Sequence, residues 1–229
     1  MKYPFPTAVS LVLVCIAAAS WLESSAHAQV EDDARLWAGF TGKVDIIQPL
    51  EATVTQEVRL DDNFVGHEKT FTQIGLRYRI NKYLQLGGHY RFSIADDEAA
   101  MVTDIRNRVA AELRLRWPIN DLRLDYRLRL QTTGTNDGMK SYVRNKVGIE
   151  YALNKNLAPF AAFELHYSTT ASEFRQVRFY GGLNYELSKR FDIEGFYLYR
   201  YEFNVQMPER NHIIGIGASY QFRRVRKGK

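Results

Sequence analysis

From Leu122 to Leu130 apolar and charged residues alternate at every position. Leu122, Leu124, Tyr126, Leu128 and Leu130 fall on one side of an extended chain, and Arg123, Asp125, Arg127 and Arg129 on the other. A helix would scatter both sets around its circumference, so a period of two specifies a strand. The same rhythm runs through "IGLRYRI", "YLQLGGHYRF" and "VAAELRLRW". It predicts eleven strands, at residues 35–46, 50–60, 70–80, 83–93, 104–117, 121–131, 141–153, 157–167, 175–187, 190–203 and 211–222. Short turns ("IIQPL", "NK", "PIN", "NKN", "SK") alternate with longer polar loops such as "DDNFVGHEKT" and "TTGTNDGMK". The chain therefore reads as hairpins with tight turns at one end and long loops at the other. A recurring phrase marks the tight-turn end: "GLRYRINK" at Gly75–Lys82, "GIEYALNK" at Gly148–Lys155, "GLNYELSK" at Gly182–Lys189 and "GASYQFRR" at Gly217–Arg224.

Alternation shows that the two faces differ, not which one is inside. A soluble sandwich or lipocalin-like binding protein of the periplasm would bury Leu and Tyr; a transmembrane barrel turns them outward. Side chains fill a closed barrel at about eight strands, so ten or more around a purely apolar interior would leave a void. Aromatic residues cluster near both strand ends. Tyr78, Tyr83, Tyr151, Tyr185, Phe191, Tyr220 and Phe222 lie by the tight turns, and Phe92, Tyr142, Tyr167, Tyr199, Tyr201 and Phe203 toward the loops. Rings of this kind settle at membrane–water boundaries. The closing "GASYQF" also resembles the C-terminal signal by which outer-membrane barrels are recognised for insertion, which makes the barrel-assembly machinery an expected partner. These features predict an all-β, antiparallel up-and-down transmembrane β-barrel of 10–12 strands in a Gram-negative outer membrane, with that membrane's lipids around it. Single-chain bacterial barrels have even strand numbers. The expectation is therefore ten strands over residues 50–222 with 35–46 packed separately, or twelve.

The N-terminal segment breaks the rhythm. Lys2, the apolar run Ala8–Ala19 and "AHA" at Ala26–Ala28 read as a secretory signal peptide over residues 1–28, cut before Gln29. The one cysteine, Cys15, lies within it, so the exported chain has no thiol or disulfide chemistry. The barrel is expected over residues 29–222, with a basic tail at 223–229. A formal charge of +5 spread along the chain gives no reason to expect nucleic acid as a partner.

With the apolar face toward lipid, the other face lines a lumen. One half carries Arg77, Arg79, Arg91, Arg106, Arg108, Arg114, Arg116, Arg123, Arg127 and Arg129. The other carries Glu150, Glu164, Glu186, Asp192, Glu194 and Glu202. Two uses are open: a polar network that fills a narrow barrel, or a narrow anion-favouring pore for a small anionic solute. A lipid-modifying enzyme is the alternative, with His89 and Ser93 or His166 and Ser168 as the pairs to examine. No nucleophile motif surrounds either pair, so no catalytic residue is assigned. Neither a metal nor a cofactor is expected, although the acidic "DDE" at Asp96–Glu98 could attract divalent cations.

The strand "LWAGFTGKV" around Trp37, the hairpin "YRINKYLQLGGHYRF" at Tyr78–Phe92, "RLRLQ" and "RFYGGLNYELSKRFDIEGFYLYRY" together resemble a bacterial outer-membrane barrel family of unknown function, of the domain-of-unknown-function 2490 type. The resemblance spans most of the chain after residue 28. It implies the fold and the location, and no activity.

A folded outer-membrane barrel resists detergent at room temperature. The protein should therefore migrate faster on a gel unboiled than boiled; purification as a detergent-free soluble monomer would contradict the outward-facing apolar reading.

Overall fold

The computed structural model describes residues 31–97, 102–135, 138–205 and 208–223. The expected signal peptide, the side chains of the Asp96–Glu98 cluster and the basic tail beyond the backbone of Arg223 lie outside the described residues. Eleven strands follow one another: β1 (Glu31–Ile47), β2 (Leu50–Asp61), β3 (Gly66–Arg79), β4 (Leu84–Asp97), β5 (Val102–Ile119), β6 (Leu122–Thr135), β7 (Gly138–Tyr151), β8 (Leu157–Ser168), β9 (Glu173–Ser188), β10 (Phe191–Glu202) and β11 (Glu209–Arg223). Most differ from the predicted strands by only a few residues at each end.

Each strand pairs with its chain neighbours in antiparallel register, and the barrel closes where β1 meets β11. That last pair is parallel, from Glu31 opposite Glu209 to Lys43 opposite Gln221. The expectation of ten or twelve strands is therefore corrected to eleven, with residues 35–46 inside the wall. An odd count makes the first and last strands run the same way. A parallel ladder is slightly weaker per residue, but closure removes both sheet edges, and with them two rows of unpaired backbone groups.

The repeated phrase builds the tight turns. Asn81 Oδ1 accepts hydrogen bonds from the backbone N–H groups of Tyr83 (2.8 Å) and Leu84 (2.9 Å). Asn154 Oδ1 does the same for Asn156 (2.9 Å) and Leu157 (2.8 Å). In the third copy Ser188 Oγ accepts from Arg190 N–H at 3.3 Å. Short side-chain acceptors of this type hold a chain reversal without a longer loop. The glycine of the phrase points inward: a Cβ on Gly182 would sit 2.8 Å from the Phe160 ring, and one on Gly75 2.8 Å from Thr53 Oγ1.

The outer face is apolar and exposed, with Ile74, Leu76, Val109, Leu130, Leu183 and Ile216 among its residues. Three polar groups on it are each capped by a tyrosine hydroxyl. Tyr90 donates to Asn107 (2.5 Å) and Tyr126 to Asn145 (2.7 Å), and Tyr197 bonds His212 (2.6 Å). Such pairing is what a polar side chain turned toward hydrocarbon needs. The aromatic belts follow the expected pattern with one correction. Tyr142 stands opposite Gln131 and Ser168, on the inward parity, so it lines the interior instead of the loop-side belt.

Eleven strands put the first and last barrel residues at opposite rims. In intact cells, Asp33→Cys should react with a membrane-impermeant thiol reagent as a loop-end cysteine at Asp62 does, while Asn154→Cys should not. Matching behaviour of Asp33→Cys and Asn154→Cys would contradict the parallel closure.

Candidate functional site: the barrel interior

All ten predicted arginines and all six predicted acids lie on the inward parity of their strands, but they do not form one track. The interior divides into a layer of buried side chains and a vestibule.

The layer is made of long and aromatic side chains. Every strand contributes at least one buried inward group, among them Trp37, Arg59, Phe71, Ser93, Ala110, Gln131, Arg144, Gln176 and Leu198. Glu164, on β8, and Ile213, on β11, complete the ring, both with 0% exposure. At its centre the Arg144 fork donates to both Glu164 oxygens at 3.0 Å and to Gln131 at 3.1 Å. Arg127 donates to the same carboxylate at 2.9 Å, and the Tyr180 hydroxyl donates to it at 2.8 Å. Planar guanidinium groups suit this crowded, bidentate arrangement. On the opposite side the Arg59 guanidinium stacks 3.6 Å over the Trp37 ring, and Arg91 3.6 Å over Phe71. Arg91 also donates to Gln73 at 2.9 Å, and Arg108 to Thr133 at 2.9 Å. Arg129 is bound to Glu112. An apolar cluster of Trp37, Leu198 and Ile213 packs against Tyr180 and Phe196.

The vestibule lies between this layer and the tight-turn rim. It is a cavity of about 700 Å³ with Trp37 and Phe196 at its inner end and Asn154, Lys155 and Asn156 at its mouth. Arg77, Arg114, Arg116 and Arg123 line one side, and Glu150, Glu186, Asp192 and Glu194 the other. Most of these charges have partners in the wall. Arg123 reaches Glu150 at 2.6 Å, Arg116 reaches Asp125 at 3.1 Å and Arg77 reaches Glu51 at 3.1 Å. Lys43 stands 3.8 Å from Asp192. A second cavity of about 230 Å³ adjoins the mouth and contains Arg79. The two remaining predicted residues sit toward the loop end, Arg106 with Asp104 (2.5 Å) and Glu202 with Gln176 (2.5 Å).

Neither Ser–His pair forms a nucleophile–base contact. Ser93 Oγ donates to the Arg106 carbonyl (3.2 Å), and His89 faces Glu112 at 3.8 Å. Ser168 Oγ accepts from Ala171 N–H (3.2 Å), and His166 lies 3.6 Å from Glu164. Among the described residues no group of three or more His, Cys, Asp or Glu is arranged to hold a metal. Sequence reasoning missed the apolar members of the layer, Phe196, Leu198 and Ile213. Their signal was present: they share parity with Glu194, Arg200 and Asn211 and interrupt an otherwise polar face.

Comparison with known proteins gives the fold a context. The family described as "Protein of unknown function (DUF2490)" matches residues 34–211. No curated protein matches the chain. Among solved structures, a bacterial polysaccharide outer membrane secretin aligns at 13% identity and a TM-score of 0.50, covering 73% of this chain and 63% of its own. LpxR from Salmonella typhimurium aligns at 8% identity and a TM-score of 0.46, covering 74% and 83%. The KdgM porin aligns at 11% identity and a TM-score of 0.41, covering 66% and 82%. The chain thus spans less than two thirds of the secretin's length, and at these identities the likeness concerns the barrel fold alone.

Removing the Glu164 carboxylate strands Arg144 and Arg127 in a buried site. Glu164→Ala should lower the unfolding free energy in lipid vesicles by about 3–5 kcal/mol, whereas Glu186→Ala, at an exposed position in the vestibule, should change it by less than about 0.5 kcal/mol. Equal effects would contradict the layer's role in holding the barrel.

Proposed function

The chain belongs to the DUF2490 family of proteins of unknown function, and from that premise we propose an outer-membrane barrel closed to free diffusion. Its accessible interior is a blind vestibule that opens only at the tight-turn rim. The single observation that carries this reading is the set of buried inward side chains to which every strand contributes. A passive pore needs a water-filled path from rim to rim, and a buried inward group on every strand argues against one.

The outward apolar face and its tyrosine-capped polar groups support residence in a lipid bilayer. The signal peptide and the aromatic end of β11 support export and insertion through the barrel-assembly machinery. In such barrels the short turns face the periplasm, so the vestibule would open there and take up a small anionic solute. The arginines that suggested an anion-favouring pore are mostly satisfied by carboxylates, amides and aromatic faces of the wall. An open pore would require those contacts to break together. Lipid modification finds less support, because neither serine is bonded to its histidine.

Purified protein in planar bilayers should add no steady conductance steps. The triple variant Trp37→Ala, Arg59→Ala, Phe71→Ala, which thins one side of the layer, should introduce them. Ohmic steps from the unaltered protein would overturn the closed-barrel reading.

A further inference from the structure

The smaller cavity at the tight-turn mouth differs from the rest of the interior in its charge. Lys43, Arg77, Arg79, Arg116, Lys189 and Arg190 line it, against only Glu51 and Asp192. Three of the cations have a carboxylate near: Arg77 with Glu51 at 3.1 Å, Lys43 with Asp192 at 3.8 Å and Arg116 with Asp125 at 3.1 Å. Arg79, Lys189 and Arg190 have no carboxylate partner among the described residues. They come from separated parts of the wall. Arg79 ends β3, and Lys189 and Arg190 form the β9–β10 turn, with β11, β1 and β2 between. The closure of the barrel therefore brings them to one concavity of about 230 Å³. Like charges gathered there repel one another, and low-dielectric walls focus their field on the cavity.

We infer that this mouth is a binding site for a soluble, multiply charged phosphoryl anion. The inference rests on the vestibule reading and names the ligand class for it. Charge density selects the class. A monocarboxylate brings one negative charge, whereas a phosphate monoester brings about 1.5–2 at neutral pH with three acceptor oxygens. Linked phosphoryl groups match three unpaired cations within so small a volume. Arg79 and Arg190 supply guanidinium forks for bidentate contacts, Lys189 supplies a point charge, and the Gln85 side chain, which also lines the cavity, supplies an amide donor. Arg77, Arg79 and Arg116 lie on the inward parity of their strands, which favours a soluble ligand from the lumen over a phospholipid headgroup.

The probe is inorganic pyrophosphate, titrated calorimetrically into the full exported chain in a neutral detergent at about 0.15 M salt, where long-range attraction is screened. One saturable site is expected. The variant Arg79→Gln, Lys189→Gln, Arg190→Gln should weaken it at least tenfold. The variant Lys82→Gln, Lys140→Gln, Arg175→Gln removes the same charge outside the cavity and should stay within about twofold. Both variants must keep the unboiled gel shift of the folded barrel. Absence of saturable binding overturns the proposal, as does equal weakening in the two variants, which would reduce the effect to net charge. Binding to phosphatidylglycerol nanodiscs with none to pyrophosphate would overturn the soluble ligand. Bilayer recordings on the same preparation separate the two readings. A silent barrel that does not bind pyrophosphate removes this inference alone, and a conducting one removes the vestibule beneath it.

Discussion

Glu164 is a carboxylate without exposure to water, held by two arginines and a tyrosine hydroxyl, and the interior is arranged around that bond set. Eleven strands enclose more space than small apolar side chains fill. The inward face must be polar enough to alternate against a lipid-facing row, and packed enough to leave no void. Arginine meets both demands, since a long stem spans the gap and a flat head stacks on Trp37 or Phe71. Its charge then requires an acceptor, because an unpaired buried ion is far costlier than a paired one. Glu164, Glu112 and the amides of Gln73 and Gln131 are those acceptors. The tyrosine-capped asparagines outside obey the same rule in a different solvent.

Satisfying the charges has a consequence for transport. The guanidinium groups bound to the wall, together with Trp37, Leu198 and Ile213, place a layer of buried side chains across the middle of the barrel. What remains open is the tight-turn half, where Glu186 and Glu194 stand exposed and Arg79, Lys189 and Arg190 face a concavity. The arginines therefore serve two purposes according to height. Those near Glu164 hold the barrel together, and those near the rim present charge to whatever enters the vestibule.

The period-two pattern made the strands, the outward apolar face and the inward parity of the ten predicted arginines legible from the sequence. It could also have placed Tyr142 correctly, since Tyr142 shares parity with Arg144 and not with Val143 or Val147. The belt argument overrode the parity there. The parallel β1–β11 pair was not legible, because alternation says nothing about which strands meet at the closure, and the even-number rule pointed the other way. The buried layer was hidden for a related reason. Trp37 and Phe196 are far apart in sequence and meet, ring centroids 6.4 Å apart, only because the barrel closes. Partner choice among ten arginines also depends on side-chain reach across two strands, as from Arg127 to Glu164, which spacing along one strand does not encode.

The account stands on the claim that water does not cross the layer. The one cysteine, Cys15, lies outside the barrel strands, so single cysteines placed in the barrel can report on it directly. In sealed liposomes a small methanethiosulfonate reagent should modify Glu194→Cys from the tight-turn side only and leave Ile213→Cys unmodified from either side. Modification of Ile213→Cys from both sides would mean a continuous aqueous path and would contradict the closed barrel.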